Sequence, residues 1–434
     1  MIARNARLTL EIEKPAAGGR MLARHAGQVV LVAGAIPGER VIARVERVGK
    51  GVAFADSEEI LSPSPDRRAG AADGRCGGNV LSHVAYPRQL ALKGQIIQDA
   101  FARIGRMPLA NAPEVLGSPE HGYRMRSRLH VQGDRIGFFR EGTHEICDAA
   151  GTAQLLPATN DWIAFAARTL AGLARRTGGA HEPLVIGLEL AENISGTARA
   201  VHVELHEGVD PGPFAALSDG LAGLSAQAAD ARVPTTLAGT PSIEDTIEVG
   251  GARAGQLTLR RDVRAFFQGN RFLLEPLVER VASRIDAGPV VDLYAGVGLF
   301  GLALASTGVR DVTLVEGDPI SSADLARNAA PFGDRVAVRQ QSVETFLSRS
   351  SGPASDTRPV IIVDPPRTGM TREALAGVIN HEPPRIVYVS CDVATLARDA
   401  RILVDAGWEL AEVTGIDLFP NTAHVESVAV FERR

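Results

Sequence analysis

Apolar runs of strand length alternate with amphipathic, helix-length segments over the last 170 or so residues, and this pattern constrains the fold most. After an amphipathic helix at 271–285, five strands are each followed by a helix, and the last two strands are joined only by a loop. Such alternation is typical of a doubly wound sheet, here with an antiparallel hairpin at one end. The predicted strands are 290–294, 312–316, 336–339, 360–364, 386–390, 408–416 and 427–432.

The N-terminal part has a different pattern, with short alternating runs separated by turns such as Ala35-Ile-Pro-Gly38. Four or five short strands in about 55 residues indicate a small barrel of the OB type. The proline-containing segment at 63–70 is predicted to end it as a linker. The expected strand segments are 7–13, 28–32, 39–45 and 50–54.

The central part is predicted to be an α+β domain without a catalytic signature of its own. A helix is expected near 88–106, where it could pack on the C-terminal domain, and another near 159–176. Residues 123–131 alternate strictly and place Arg124, Arg126 and Arg128 on one face of a strand. We therefore expect an α/β protein with three parts: a barrel over 1–62, a linker and central domain over 63–260, and the doubly wound domain over 261–434.

Composition excludes several classes of protein. The 434 residues are 45% hydrophobic, yet no apolar run approaches the roughly 20 residues of a membrane span, and the N-terminus lacks a signal-peptide core. Three cysteines are a sparse, odd set, which favours the cytoplasm and argues against a disulfide framework. Residues 1–50 carry a net charge of +5, against −5 for the whole chain. This asymmetry fits a polyanion partner, although a solvated surface would explain it equally well.

A glycine-rich loop, Asp292-Leu-Tyr-Ala-Gly-Val-Gly-Leu-Phe-Gly301, follows the first strand of the doubly wound domain. Its glycines fit either a dinucleotide or S-adenosylmethionine, and Glu316 at the end of the next strand could accept ribose hydroxyls in both cases. The run Asp364-Pro-Pro-Arg367 favours S-adenosylmethionine. Its two prolines fix a carboxylate rigidly over the cleft, which methyltransferases need to position the methyl acceptor and dehydrogenases do not. Arg367 stands where exocyclic-amine methyltransferases carry an aromatic residue, so that reaction is less favoured.

Cys391 ends a predicted strand, and Glu426 begins another 35 positions later. Carbon 5 of a pyrimidine is a weak nucleophile until a thiolate adds at carbon 6, and a base must then remove the C5 proton. One cysteine and one carboxylate are the groups that this chemistry requires. A buried structural thiol and a surface carboxylate are the plain alternatives for the two residues taken singly.

Together these motifs resemble the RNA uracil-C5 methyltransferase family, and the N-terminal barrel is similar to a TRAM domain. The resemblance implies that Cys391 is the nucleophile, that Glu426 is the base, and that the cofactor is S-adenosylmethionine. It also implies an RNA substrate, with ribosomal RNA favoured by the TRAM-like barrel and transfer RNA as the alternative. We expect a monomer. The residues implied to line the cofactor and target-base pocket are Gln268, Tyr294, Glu316 and Asp364.

The chain departs from the family pattern at two places. Many TRAM-bearing relatives hold an iron–sulfur cluster with four cysteines. Here Cys76 is kept, but Gly70, Asn79 and Thr152 stand at the other three positions, so we predict no cluster. Asp392 replaces the usual asparagine after the nucleophile, and a carboxylate there is expected to raise the thiol pKa. A non-catalytic RNA-binding protein and a nicotinamide enzyme are therefore kept as alternatives. The first would bind RNA independently of Cys391, and the second would bind a dinucleotide at the glycine loop.

Overall fold

The computed structural model of the chain describes residues 2–71, 73–176, 184–250, 254–286, 288–349 and 358–434. Five N-terminal strands close into a barrel in the order β1-β2-β3-β5-β4. Alternating apolar residues of β1, such as Leu8, Leu10 and Ile12, point into its core. The sequence pattern missed β2, which is short. The strands are β1 Arg7–Pro15, β2 Met21–His25, β3 Gln28–Ala33, β4 Arg40–Val48 and β5 Val52–Ser62.

Helix α1, Tyr86–Arg103, follows the linker and packs on the C-terminal part of the chain rather than on the barrel alone. Ile97 and Phe101 are fully buried in a core shared with Leu396 and Trp408. Strand β6, Val115–Leu116, then adds to the C-terminal sheet by pairing in parallel with a strand 300 residues later, so that Gly415 lies opposite Val115. No pattern in so short a segment predicts that pairing.

The central domain is a seven-stranded sheet in the order β13-β12-β11-β10-β7-β8-β9, with helix α2 covering one apolar face. A separate hairpin, β14 with β15, packs against three helices of the C-terminal domain. The elements are β7 Arg126–Gln132, β8 Arg135–Phe139, β9 Ile146–Asp148, α2 Pro157–Arg176, β10 Val185–Glu192, β11 Arg199–Leu205, β12 Gly223–Ala228, β13 Thr235–Gly239, β14 Ser242–Val249 and β15 Gly255–Asp262, with 3₁₀ turns at Ala150–Thr152 and Gly212–Leu217.

The C-terminal domain confirms the predicted doubly wound sheet with an antiparallel end hairpin. Eight strands run in the order β18-β17-β16-β19-β20-β22-β21-β6. Strands β16 to β20 pair in parallel, whereas β22 is antiparallel to both β20 and β21. The elements are α3 Leu274–Ala282, β16 Val290–Leu293, α4 Leu299–Ser306, β17 Val312–Glu316, α5 Pro319–Ala329, a 3₁₀ turn Ala330–Arg335, β18 Val336–Gln340, α6 Val343–Arg349, β19 Val360–Val363, α7 Arg372–Asn380, β20 Arg385–Ser390, α8 Val393–Asp405, β21 Trp408–Ile416 and β22 Glu426–Arg433.

The cysteines correct one expectation. Cys76 in the linker and Cys147 in β9 form a disulfide with a Cα–Cα distance of 5.7 Å, although the sparse cysteine content argued against disulfides. Both residues are buried, and the pair joins the segment after the barrel to the central sheet. The two cysteines are 71 positions apart in sequence, and such a spacing does not indicate that they pair. Cys391 is left as the free thiol.

Among the described helices, none is long and apolar enough to cross a membrane.

Candidate active site

Asp364 lies immediately after β19, in the cleft at the carboxyl ends of the parallel strands. The half-buried carboxylate accepts a hydrogen bond from Nε2 of Gln268 at 3.2 Å. Burial raises the pKa of Asp364 to about 7, and the amide of Gln268 opposes this shift. The structure therefore brings together two residues separated by nearly 100 positions, as expected for a shared pocket.

Cys391 lies at the end of β20, in the turn that leads into helix α8. Asp392 caps that helix, because its Oδ1 accepts a hydrogen bond from the backbone N–H of Thr395 at 2.9 Å. The turn thus presents a half-buried thiol at a helix N-terminus, after the strand that the sequence predicts.

Glu426 begins β22, the antiparallel neighbour of β20. Ser390 lies opposite Ser427 in the ladder. Extending this register by one residue places Cys391 opposite Glu426, in agreement with the effect of the Glu426 charge on the pKa of Cys391. Glu426 is only 3% exposed. Burial and the nearby charge of Asp364 raise the pKa of Glu426 well above its usual range, while Arg367 lowers it.

The electrostatics of the thiol follow from the same neighbours. Burial raises the pKa of Cys391 to about 11, and the carboxylates of Glu426 and Asp364 add to this, whereas Arg367 opposes it. The leading causes are thus burial and the facing carboxylates rather than Asp392, whose carboxylate is engaged in the helix cap. Arg367 was read from the sequence only as a missing aromatic residue. In the structure it is the cation that favours the charged form of both Cys391 and Glu426.

The glycine-rich loop forms the adjoining part of the cleft. Gly301 donates its N–H to Asp292 Oδ2 at 2.9 Å, and a Cβ on Gly301 would lie 2.2 Å from the side chain of Leu314. Glycine is therefore required for this close helix–strand packing. Tyr294, half-buried, adopts a left-handed φ of 62° at the start of the loop.

Acidic groups converge at the ends of β16, β17 and β19. Burial, together with the charges of Asp364 and Glu316, raises the pKa of Asp292 to about 8. Asp292 is fully buried, and its Oδ1 has no hydrogen-bond partner. Glu316 accepts hydrogen bonds from the N–H groups of Gly296 at 2.8 Å and Asp318 at 2.6 Å. A cationic, hydroxyl-rich cofactor would complement this negative, incompletely satisfied end of the cleft, so the residues present fit S-adenosylmethionine.

Of the six residues proposed from the sequence, the structure brings four together: Gln268 bonds Asp364, and the charge of Asp364 acts on both Cys391 and Glu426. Glu316 belongs to the same group of acids, because its charge and that of Asp364 both raise the pKa of Asp292. Tyr294 has Glu344 and Asp399 as its charged neighbours, and burial raises the pKa of its phenol. Its predicted contact with the cofactor stays a prediction.

The doubly wound sheet, the glycine-rich loop and the acidic cleft define a class I methyltransferase. Family models match the N-terminal barrel and the C-terminal domain: the TRAM domain over residues 4–57, Conserved hypothetical protein 95 over 275–394, and the tRNA (Uracil-5-)-methyltransferase family over 355–434.

Relatives that match over nearly the full length of the chain indicate which methyltransferases it is similar to. The chain is 32% identical to the 23S rRNA (uracil(1939)-C(5))-methyltransferase RlmD of Pseudomonas putida, over 98% of this chain and 93% of that protein. It is 31% identical to the protein of the same description from Methylococcus capsulatus, over 98% and 97% of the two chains. The structure of Pyrococcus abyssi tRNA (uracil-54, C5)-methyltransferase in complex with S-adenosyl-L-homocysteine superposes with a TM-score of 0.74, at 23% identity, covering 98% of this chain and 99% of that one.

The chain therefore belongs to the family of RNA uracil-C5 methyltransferases. It is a transferase of RNA that uses S-adenosylmethionine.

Proposed function

We propose that this enzyme methylates C5 of a uridine in ribosomal RNA, with Cys391 as nucleophile and Glu426 as base. Two observations support the proposal best: the antiparallel β20–β22 register, in which Cys391 and Glu426 follow the Ser390–Ser427 pair, and the effect of the Arg367 charge on the pKa of both groups. A pyrimidine ring bound in the cleft would then contact both the thiol of Cys391 and the carboxylate of Glu426.

The thiolate of Cys391 adds to C6 of the uracil, and the electron pair of the C5–C6 double bond moves towards C5 and the O4 carbonyl. C5, now nucleophilic, accepts a methyl group. Glu426 then removes the C5 proton, the C5–C6 double bond re-forms, and the C6–S bond breaks to return the thiolate. Arg367 assists by lowering the pKa of the thiol. The alternative of a non-catalytic RNA-binding protein is disfavoured, because each group that this scheme requires is present.

S-adenosylmethionine supplies a methyl group made electrophilic by a sulfonium. Gln268, Tyr294, Glu316 and Asp364 are the residues proposed to hold it and the target base. Asp364 has a raised pKa in the absence of any cation, and a neighbouring positive charge would stabilise its ionised form. The same argument disfavours a dinucleotide, whose phosphates would face this acidic cleft.

Ribosomal RNA is the proposed substrate, since the full-length relatives at 31–32% identity are described as acting on 23S rRNA. The target uridine must be unstacked for its C5–C6 edge to enter the cleft. The barrel, residues 1–62, and the central domain, 63–260, are proposed to hold the RNA. Two arginines of the central strand are partly neutralised, Arg126 by Glu189 at 3.3 Å and Arg128 by Glu204 at 2.6 Å, so the central sheet offers phosphates fewer free charges than the sequence indicated. We also propose that the enzyme is a monomer, that it acts in the cytoplasm and that it holds no iron–sulfur cluster.

The test combines substrate mapping with trapping. Mass spectrometry of RNA from a deletion strain should reveal one 5-methyluridine missing from 23S rRNA, whereas its loss from transfer RNA would transfer the proposal to that substrate. Purified enzyme should form a denaturant-resistant adduct with a 5-fluorouridine transcript of that site, because fluorine cannot be removed as a proton is. Cys391→Ala should abolish the adduct, and an adduct that persists in this variant would refute the assigned nucleophile.

A further inference from the structure

The loop formed by residues 417–425 connects β21 to β22 and delivers Glu426 to the cleft. It is held mainly from outside its own sheet, by the side chains of helix α1. Nζ of Lys93 donates to Asp417 Oδ1 at 2.5 Å and to the carbonyl oxygen of Phe419 at 3.1 Å. Gln89 bonds Asn421 twice at 2.9 Å, through its Nε2 to the side chain and through its Oε1 to the backbone N–H.

The centre of this network is fully buried. Lys93, Gln89 and Asp417 are each 0% exposed. Burial lowers the pKa of Lys93, and the charge of Asp417 opposes the shift. Tyr86, also on α1, donates its hydroxyl to the second oxygen of Asp417 at 3.0 Å. Buried ion pairs contribute little net stability compared with apolar residues of the same volume, so geometric definition of the loop is the better explanation of this one.

The other side of the loop is tied to the cofactor-proximal segment. Nδ2 of Asn270, two residues after Gln268, donates to the carbonyl oxygen of Leu418 at 3.1 Å. Asn421 adopts a left-handed φ of 63°, and the loop therefore turns sharply before it reaches Glu426. Helix α1, the segment around residue 270 and the base thus form one connected, rigid unit.

We propose that Lys93 and Asp417 are positioning residues for the general base: they fix the 417–425 loop so that the carboxylate of Glu426 lies beside Cys391. This inference rests on the proposed function. It concerns one step only, the removal of the C5 proton from the methylated adduct. Addition of the thiolate and methylation at C5 precede that step and do not require the base. Misplacement of Glu426 should therefore leave the C6–S bond formed and unbroken.

The double variant Lys93→Met/Asp417→Asn tests this, because it removes both charges and leaves neither buried alone. Incubated with an unmodified transcript and methyl-labelled S-adenosylmethionine, it should turn over roughly a hundredfold more slowly, the lower end of the range for loss of a general base. Labelled RNA should accumulate in covalent linkage to the protein on a denaturing gel, and the KM for the methyl donor should stay unchanged. Asp99→Asn is the matched control: Asp99 lies on the same helix, the substitution removes two partly exposed ion pairs, with Lys14 and with Arg103, and turnover should be unaffected.

Asn421→Gly provides a second variant if the double variant does not fold, since glycine tolerates the left-handed φ while losing the side-chain bond from Gln89. It should show the same labelled adduct, with a thermal unfolding midpoint close to wild type. Folded variants that turn over at the wild-type rate, or that lose turnover without accumulating the adduct, would overturn the inference. A wild-type enzyme that neither methylates the transcript nor traps 5-fluorouridine RNA would instead defeat the proposed function itself.

Discussion

At the scale of single residues, the cleft balances one cation against several acids. Burial and the carboxylates of Glu426 and Asp364 raise the pKa of Cys391, and Arg367 lowers it. Both proposed reactive groups work in their deprotonated forms while the surroundings favour the protonated ones. Catalysis should therefore accelerate as pH rises, until other parts of the protein begin to titrate.

Glu426→Gln should make the thiol more acidic. The substitution keeps the shape of the side chain and removes a negative charge that raises the pKa of Cys391, so the pKa should fall below about 11. The rate of alkylation by iodoacetamide measured against pH reports this value directly, with Cys391→Ala as the blank. A thiol pKa that rises in Glu426→Gln would show that the two side chains do not face each other as described.

Arg367→Gln should have the opposite effect. Loss of this cation removes the interaction that lowers the pKa of both Cys391 and Glu426, and both values should rise. The pH dependence of kcat/KM should then move to higher pH, with a larger deficit at neutral than at alkaline pH. A uniform loss of rate at every pH would indicate that Arg367 binds substrate instead of tuning these groups.

Cys391 and Asp364 could be proposed as site residues from motifs, because each follows a recognisable strand, whereas Gln268 came from the family resemblance alone. Their acidities could not, since a pKa depends on which distant groups share the same buried volume. Asp392 illustrates the difference. Adjacency in sequence suggested that it perturbs the thiol, whereas the fold turns its carboxylate into the first turn of α8.

At the scale of elements, the cap of α8 can be separated from the chemistry of the thiol. Asp392→Asn keeps an oxygen for the Thr395 N–H, so both stability and the pKa of Cys391 should change little. Asp392→Ala removes the cap and should cost about 1 kcal/mol of unfolding free energy. Chemical denaturation compares the two variants. If the pKa of Cys391 is lower in Asp392→Asn than in the wild type, the Asp392 carboxylate does raise it, as the sequence suggested.

Most elements of the C-terminal domain could be predicted because buried parallel strands are continuous apolar runs. Those that the sequence missed or misjudged depend on distant partners. Strand β6 exists only through its pairing with β21. The helix expected from residue 271 begins at Leu274, because the Arg271 guanidinium is bonded to Glu192 at 2.8 Å and Asn270 caps the turn before it.

At the scale of the whole molecule, the Cys76–Cys147 disulfide links the linker to the central sheet across 71 positions. Closing a loop of that length restricts the unfolded chain, so the variant Cys76→Ser/Cys147→Ser should lose about 2–4 kcal/mol of stability. Denaturation with and without reductant measures the loss, and the variant itself should no longer respond to reductant. Equal stability of wild type in both conditions would indicate that the two cysteines remain thiols in solution.

The contacts between α1 and the 417–425 loop also set an order of assembly. Lys93 and Asp417 are 324 positions apart in sequence. Helix α1 is therefore synthesised long before the loop that it contacts, which directly precedes β22. Contacts so distant in sequence carry a high loop-closure cost and form late. During translation, the barrel and central sheet can fold while the ribosome is still producing the C-terminal sheet. The base would then be seated last, and a nascent enzyme would acquire its ability to release RNA only at the end of its own synthesis.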